Sequence, residues 1–322
     1  MSSLKESFLL LLGGKSKRPK PEEISPEAAA IHEAHRGKRP REEIEIRRRA
    51  KQENFTNTNW RRKRWTVLIL VNLLFVTSYS LDIQLLEGAL TGSRFAGLHL
   101  ADLNATLQVM LAFKHVLINL LIGTVTVGIM WWLLGGRTFC SWVCPYHLLS
   151  EWGEIIHLKL RKKKLAMDIK FDRRTRTYLW LLFAVLAFIT SYTVYETISP
   201  TGIISRALIY GPGLALTWVL FILLFEIFFS RRAWCRYACP IGLTYGVIGL
   251  TSPLQVQLHL DTCYHDGQCI KVCLVPHVLD VTKARRAVKP IVDIGADCTR
   301  CGRCVEVCPT KSLKFKFKGI SK

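Results

Sequence analysis

The 322-residue chain has no Cys-x-x-Cys-His sequence, which excludes a covalently attached c-type haem. It also lacks a flavin-attachment motif and a terminal reductase site, so the catalytic end of any pathway lies in another protein. A secretory leader is missing as well, because the apolar run at residues 8–12 is too short for one. Acidic residues are scarce: 24 Asp and Glu stand against 45 Lys and Arg, a formal net charge of +21. That excess does not argue for nucleic acid, since the basic residues flank apolar stretches and are not interleaved with stacking aromatics. It reads instead as a positive-inside bias with attraction to anionic lipid headgroups. Residues 1–60 have no sustained apolar period, mix Glu with Arg and Lys, and contain Pro19, Pro21, Pro26 and Pro40. They are expected to form a largely disordered basic cytoplasmic tail, with one polar helix around residues 42–53.

What the chain does have is cysteine in dense runs. Cys298-x-x-Cys301-x-x-Cys304-x-x-x-Cys308-Pro309 places three thiols in a tight turn and a fourth, before proline, pointing away. This is the spacing of bacterial two-cluster ferredoxins, in which the last cysteine of each run ligates the other cluster. A structural zinc site would use two separated pairs instead. The partner run is Cys263-Tyr-His-Asp-Gly-Gln-Cys269-Ile-Lys-Val-Cys273, with Asp266 where a second cysteine belongs. The crossed pattern assigns Cys298, Cys301, Cys304 and Cys273 to one [4Fe-4S] cluster. Cys263, Cys269 and Cys308 fall to the other, with Asp266 facing its fourth iron. A carboxylate binds iron more weakly than thiolate. The second site is thus read as a [4Fe-4S] cluster with one labile iron or a [3Fe-4S] cluster. The alternative is a lost cluster with Asp266 as a solvent-facing loop residue. His265 lies one residue out of register as a ligand.

Four apolar stretches, at residues 65–81, 116–134, 178–199 and 214–230, approach the ~20 residues a helix needs to cross a bilayer core. Arg61, Arg62, Lys63 and Arg64 precede the first, Arg161, Lys162, Lys163, Lys164, Arg173 and Arg174 are among those between the second and third, and Arg231 and Arg232 follow the fourth. By the positive-inside rule both termini face the cytoplasm. A reducing compartment agrees with thiols left free for metal.

The remaining four of the 11 cysteines form a repeat. Cys140-Ser-Trp-Val-Cys144-Pro145 and Cys235-Arg-Tyr-Ala-Cys239-Pro240 are each preceded by an arginine and an aromatic: Arg137 with Phe139, then Arg232 with Trp234. On a helix, thiols four apart share a face. The four thiols are candidates for a further iron–sulfur or metal centre, a redox-active dithiol or the lining of a quinone pocket; buried cysteine as a small apolar residue is the plainer reading. For a quinol site the candidates are Glu226 and His115, ionisable groups inside or beside apolar stretches. Lys114 reads as a snorkelling side chain, His147 is a weaker candidate, and His99 and His157 are expected at interfaces.

Four spans, two Cys-x-x-x-Cys-Pro motifs and a C-terminal two-cluster ferredoxin together resemble the NapH/MauN ferredoxin-type membrane proteins. The resemblance covers about residues 60–318 and includes the stretches at residues 86–93 and 139–145. It implies a subunit that oxidises quinol in the bacterial inner membrane. Electrons would pass to a partner iron–sulfur protein or a multihaem cytochrome, serving periplasmic reductases or methylamine metabolism. Asp266, and Leu274 where a proline is usual, depart from the pattern. The expected architecture is a mostly α membrane protein: a tail (1–60), four transmembrane helices in two repeated two-helix units (61–252), and a small α+β two-cluster ferredoxin module (253–322). A quinol dehydrogenase subunit is the leading reading. The alternative is an assembly factor supplying electrons for metal insertion into a respiratory oxidase, which the short segment after Cys308 disfavours.

Overall fold

The computed structural model describes residues 4–35, 44, 45, 49, 58–81, 86–95 and 98–318. It divides into two compact units, one of Met1–Arg64, Trp132–Thr138 and Gly246–Lys322, the other of Trp65–Trp131 and Phe139–Tyr245. The expected solvated tail is corrected over its first half. Helices α1 (Leu4–Leu11) and α2 (Pro26–Ala34) fold into the first unit. Leu11 and Ala28 are fully buried there, so the short apolar run at residues 8–12 supplies core. Ser25 caps α2 by accepting the Ala28 N–H at 3.3 Å, with Pro26 at the first helical position. The polar helix expected around residues 42–53 lies almost wholly outside the described residues.

The second unit begins in α3 (Asn59–Ser80) and continues through a three-stranded antiparallel meander, β1 (Leu86–Ala89), β2 (Gly92–Phe95) and β3 (Leu98–Ala101). Gly88, within β1, has φ +90°, and a Cβ there would meet the Gly92 carbonyl oxygen at 2.5 Å, so this position admits only glycine. Then come α4 (Leu103–Phe113), α5 (Ile118–Leu134), α6 (Thr138–Trp142), α7 (Pro145–Lys162), α8 (Arg174–Thr190), α9 (Val194–Ile198), α10 (Pro200–Tyr210) and α11 (Ala215–Phe228). A π-helical turn over Trp234–Ala238 leads into α12 (Ile241–Ile248). Asp102 caps α4 by accepting the N–H groups of Asn104 and Ala105 at 3.0 and 3.2 Å, and its other oxygen accepts the Tyr245 hydroxyl at 2.7 Å. Phe139 stacks on Tyr245 with ring centroids 4.9 Å apart, in a core shared with Trp131, Tyr146 and Tyr195.

The four transmembrane helices expected from the apolar stretches are not found: no described helix is long and apolar enough to cross a membrane. The physical reasons differ by stretch. Helix α3 has 22 residues, but Arg61, Arg62, Lys63 and Arg64 occupy its first turns. The second stretch starts late, because α4 ends at Lys114 in the left-handed conformation and α5 has only 17 residues. Ser191, also left-handed, stops α8 at 17 residues. Helix α11 has 14 residues, roughly 21 Å at ~1.5 Å per residue against a hydrocarbon core of ~30 Å. Apolar side chains nonetheless face outward, with Ile118 69%, Ile189 70% and Leu214 89% exposed.

The first unit closes with the C-terminal module. Strands β4 (Leu254–His259), β5 (Ile291–Asp293) and β6 (Leu313–Phe317) form an antiparallel sheet in the order β5-β4-β6. Two five-residue helices, α13 (Gln268–Val272) and α14 (Arg303–Val307), pack against each other. Beside them the cysteines join a core of Val256, Leu258, Leu260 and Leu279.

Candidate iron–sulfur centres

Each C-terminal cysteine run folds by the same local device. The residue two past the first cysteine is left-handed, His265 with φ 54° and Arg300 with φ 49°. A left-handed glycine, Gly267 or Gly302, then caps the five-residue helix, and the last cysteine of the run, Cys273 or Cys308, caps its far end in extended backbone. The turn wraps the first three ligand positions into an arc, and the extended cap releases the fourth. Backbone N–H groups point at sulfur, Arg300 to Cys298 Sγ at 3.4 Å and Ser312 to Cys308 Sγ at 3.3 Å. Gly302 is obligatory twice over, since a Cβ there would sit 2.6 Å from the Trp60 ring.

Sulfurs of the two runs lie close enough to act on one another. Burial pushes the Cys304 thiol up, and Cys273, Cys298, Cys301 and, least, Cys269 push it further. Burial likewise raises Cys263 to about 11, with Cys269, Cys308 and Asp266 adding to it. Among the described residues none of the seven cysteines forms a disulfide, and all but Cys308 are buried. A buried thiol resists ionisation unless a cation is bound to it, so this donor set fits a group that brings iron.

Asp266 is exposed, unlike Cys301 at the matching position. Its Oδ1 accepts the Gln268 N–H at 3.2 Å, closing the turn as an Asx cap. It also lines a small cavity of about 20 Å³, partly open to solvent, with Cys263, Cys269 and Cys308. His265 Nδ1 donates to the Thr282 carbonyl at 2.8 Å and lies 3.9 Å from Cys263 Sγ.

In the second unit the two Cys-x-x-x-Cys-Pro motifs come together. Cys144 is buried, and Cys140, Cys235 and Cys239 pack against the same core. Each proline opens a helical segment directly after its cysteine, Pro145 in α7 and Pro240 just ahead of α12. Burial raises Cys144 to about 12, partly offset by the Thr201 hydroxyl 3.2 Å from its sulfur, while Cys140 and Cys239 push it further. The Tyr195 hydroxyl lies 3.6 Å from Cys239 Sγ.

Of the quinol-site candidates, Glu226 is 1% exposed; its carboxylate accepts Ser150 Oγ at 2.7 Å and the Trp234 N–H at 2.9 Å, and burial pushes its pKa up. His115 is exposed and is not brought to it. Lys114 places its ammonium 5.1 Å from the Phe188 ring centroid. His147 is buried with Nε2 4.0 Å from Glu151, and His99 is exposed. His157, expected at an interface, is instead fully buried, with Nδ1 donating to the Ile227 carbonyl at 2.8 Å. Sequence reasoning missed the charges beside Cys298. Arg137 reaches Asp297 Oδ1 at 2.5 Å, His277 reaches Oδ2 at 2.8 Å, and Arg300 is 2% exposed. The signal was available, since Arg137 stands out ahead of the first Cys-x-x-x-Cys-Pro motif.

A family model described as a 4Fe-4S binding domain matches residues 116–164 and 212–254, each stretch holding one Cys-x-x-x-Cys-Pro motif. A second model, also described as a 4Fe-4S binding domain, matches residues 292–314. Methylamine utilization ferredoxin-type protein MauN of Paracoccus denitrificans is 36% identical over 218 residues, covering 66% of this chain and 75% of that protein. MauN of Methylorubrum extorquens is 29% identical over 266 residues, 81% of this chain and 90% of its own length. Ferredoxin-type protein NapH of Escherichia coli is 31% identical over 257 residues, 77% and 88% respectively. No solved structure matches the chain.

Proposed function

Because the chain belongs to the NapH and MauN family of ferredoxin-type proteins and is an iron–sulfur electron-transfer protein, we propose that it is the quinol-oxidising subunit of a respiratory or methylamine-type pathway. What supports the assignment of clusters is the ligand spacing together with the action across the two runs of Cys273 on the Cys304 thiol and of Cys308 on the Cys263 thiol. Cys273, Cys298, Cys301 and Cys304 hold one [4Fe-4S] cluster. Cys263, Cys269 and Cys308 hold a three-thiolate cluster, [3Fe-4S] or [4Fe-4S] with an exchangeable iron, because exposed Asp266 already serves its own turn. Cys140, Cys144, Cys235 and Cys239 hold a further cluster, a reading supported by their gathering in one core and by the family model over both motifs.

Such clusters, when bound, take up and release single electrons. The protein's part is to bury the sulfurs, direct N–H groups at them and keep water away. Two-electron oxidation of a quinol releases two protons, so two one-electron acceptors and an acceptor for each proton are required; Glu226 is the candidate for one proton, and water takes the other. The acceptor is a partner iron–sulfur protein or multihaem cytochrome. The outward apolar side chains and flanking basic residues favour a site at the bacterial inner membrane, where those faces meet lipid.

Anaerobic purification with iron and sulfide quantification, followed by EPR during quinol titration, tests this reading. Reduction of the cluster signals by quinol is expected. Protein that carries zinc in place of iron, or clusters that no quinol reduces, would overturn it.

A further inference from the structure

Two arginines lie buried beside the Cys298 site, and nothing in the proposed electron transfer has used them. Arg300 is 2% exposed and Arg137 3%. Arg300 sits two residues past Cys298 with φ 49°, a conformation that costs a residue bearing a Cβ. Its backbone N–H donates to Cys298 Sγ at 3.4 Å. The guanidinium folds back and donates to the carbonyls of Cys298 at 2.7 Å, Ala296 at 3.3 Å, Gly249 at 3.4 Å and Leu254 at 3.4 Å. A seat is cut for it: a Cβ on Gly135 would meet Arg300 Cδ and Nε at 2.7 Å, and one on Gly249 would meet Nη1 at 3.2 Å. Two glycines and a left-handed arginine place one full positive charge beside one sulfur.

Among the described residues, the charged groups acting on this guanidinium include Cys298, Arg137 and Asp297. Arg137 is bridged to Asp297 at 2.5 Å, which weakens but does not remove its action on Cys298. Arg300 is the charge that acts most on that sulfur. The equivalent position in the other run is His265, whose Nδ1 donates to a carbonyl, and Asp266 adds a negative charge there. The two loops share a backbone and differ in sign.

We infer that Arg300 is a positioning residue that sets the redox order: it makes the cluster of Cys273, Cys298, Cys301 and Cys304 the more oxidising of the C-terminal pair, where the transferred electron comes to rest. Positive charge close to a cluster favours its reduced form, which carries one more electron, and burial prevents screening. This rests on the proposed occupancy of both runs.

The test is an EPR-monitored redox titration of the anaerobically purified full chain, with iron and sulfide counted first. The Cys298-site signal is identified as the one surviving Cys263→Ser. In Arg300→Gln its reduced-to-oxidised ratio at fixed potential should fall at least tenfold, a midpoint drop of about 59 mV or more for one electron. Arg300→Lys, which keeps the charge, should stay within about twofold, and the second signal should not move. The double variant Arg137→Gln/Asp297→Asn removes the bridged pair and should lower the midpoint less than Arg300→Gln does. An unmoved midpoint in Arg300→Gln with iron retained overturns the inference, as does an equal drop in Arg300→Lys. Should Arg300→Gln lose its iron, His265→Arg decides: the second midpoint must rise, and a stationary one overturns the inference. Wild-type protein without two C-terminal clusters would instead refute the functional assignment beneath it.

Discussion

Replacing Asp297 by alanine tests whether the ion cluster beside Cys298 carries structural weight. Asp297 is 1% exposed, and its two oxygens meet Arg137 at 2.5 Å and His277 at 2.8 Å. Arg137 is itself 3% exposed, so the variant leaves a guanidinium buried without its carboxylate. Breaking a buried pair from one side costs about 3–5 kcal/mol, much more than the pair contributes relative to apolar residues of similar size. For a folded unit of this size each kcal/mol lowers Tm by about 2–4 °C, which puts the Asp297→Ala melt roughly 6–20 °C below wild type. The double variant Arg137→Met/Asp297→Leu, which removes both charges and refills the volume, should recover most of that loss. Thermal and urea unfolding followed by circular dichroism at matched iron content, run also on Arg137→Met and Asp297→Leu, gives the four corners of that cycle. If Asp297→Ala melts within about 1 kcal/mol of wild type, or if the two single losses simply add, the reasoning about this bridge is wrong.

Asp266→Cys supplies the missing fourth thiolate, and its variant should hold four irons at the second run without the loss on chelator treatment expected of the native site; equal iron release from both proteins would count against a three-thiolate cluster. Gly302→Ala places a methyl group against the Trp60 ring at a left-handed position, so it should lower stability by about 1–3 kcal/mol and quench differently by tryptophan fluorescence. Leu11→Ala, at a fully buried site in α1, should cost about 2–5 kcal/mol, whereas a truly solvated N-terminal segment would give no change. Burial raises the Glu196 carboxyl from 4.5 to about 7, with Asp102 adding to the shift. Its folded-state pKa lies above the unfolded one, so the folded chain binds more protons between these values. Stability should fall as pH rises through that window, and Glu196→Gln should flatten the slope.

The centres were more legible in the sequence than the scaffold. Cysteine spacing encodes a turn directly: three positions two residues apart can face one point only through the left-handed residues that Gly267, Gly302, His265 and Arg300 supply. A substitution such as Asp266 shows at once against that spacing. Hydropathy is a weaker guide because it counts residues without asking whether the helix continues. The breaks at Lys114 and Ser191 carry no proline or glycine to announce them. Nor did composition show that residues 4–35 dock on the C-terminal module. That contact runs through backbone groups and partial side-chain burial, as when the Ser25 N–H donates to the Val288 carbonyl at 2.9 Å and His32 Nε2 donates to that of Ala287 at 3.0 Å.

Charge is where sequence repetition and physical equivalence part. Within each C-terminal run the backbone is nearly duplicated, so the backbone N–H two residues past the first cysteine meets its sulfur in both. What differs is the occupant of one left-handed position and of its neighbour: arginine and cysteine in one run, histidine and aspartate in the other. In a medium of low dielectric, a unit charge a few ångströms from a redox centre outweighs several neutral hydrogen bonds. On the proposed occupancy of both runs, a duplicated backbone carrying unlike charges makes two unequal electron acceptors, and that inequality sets the order in which they fill.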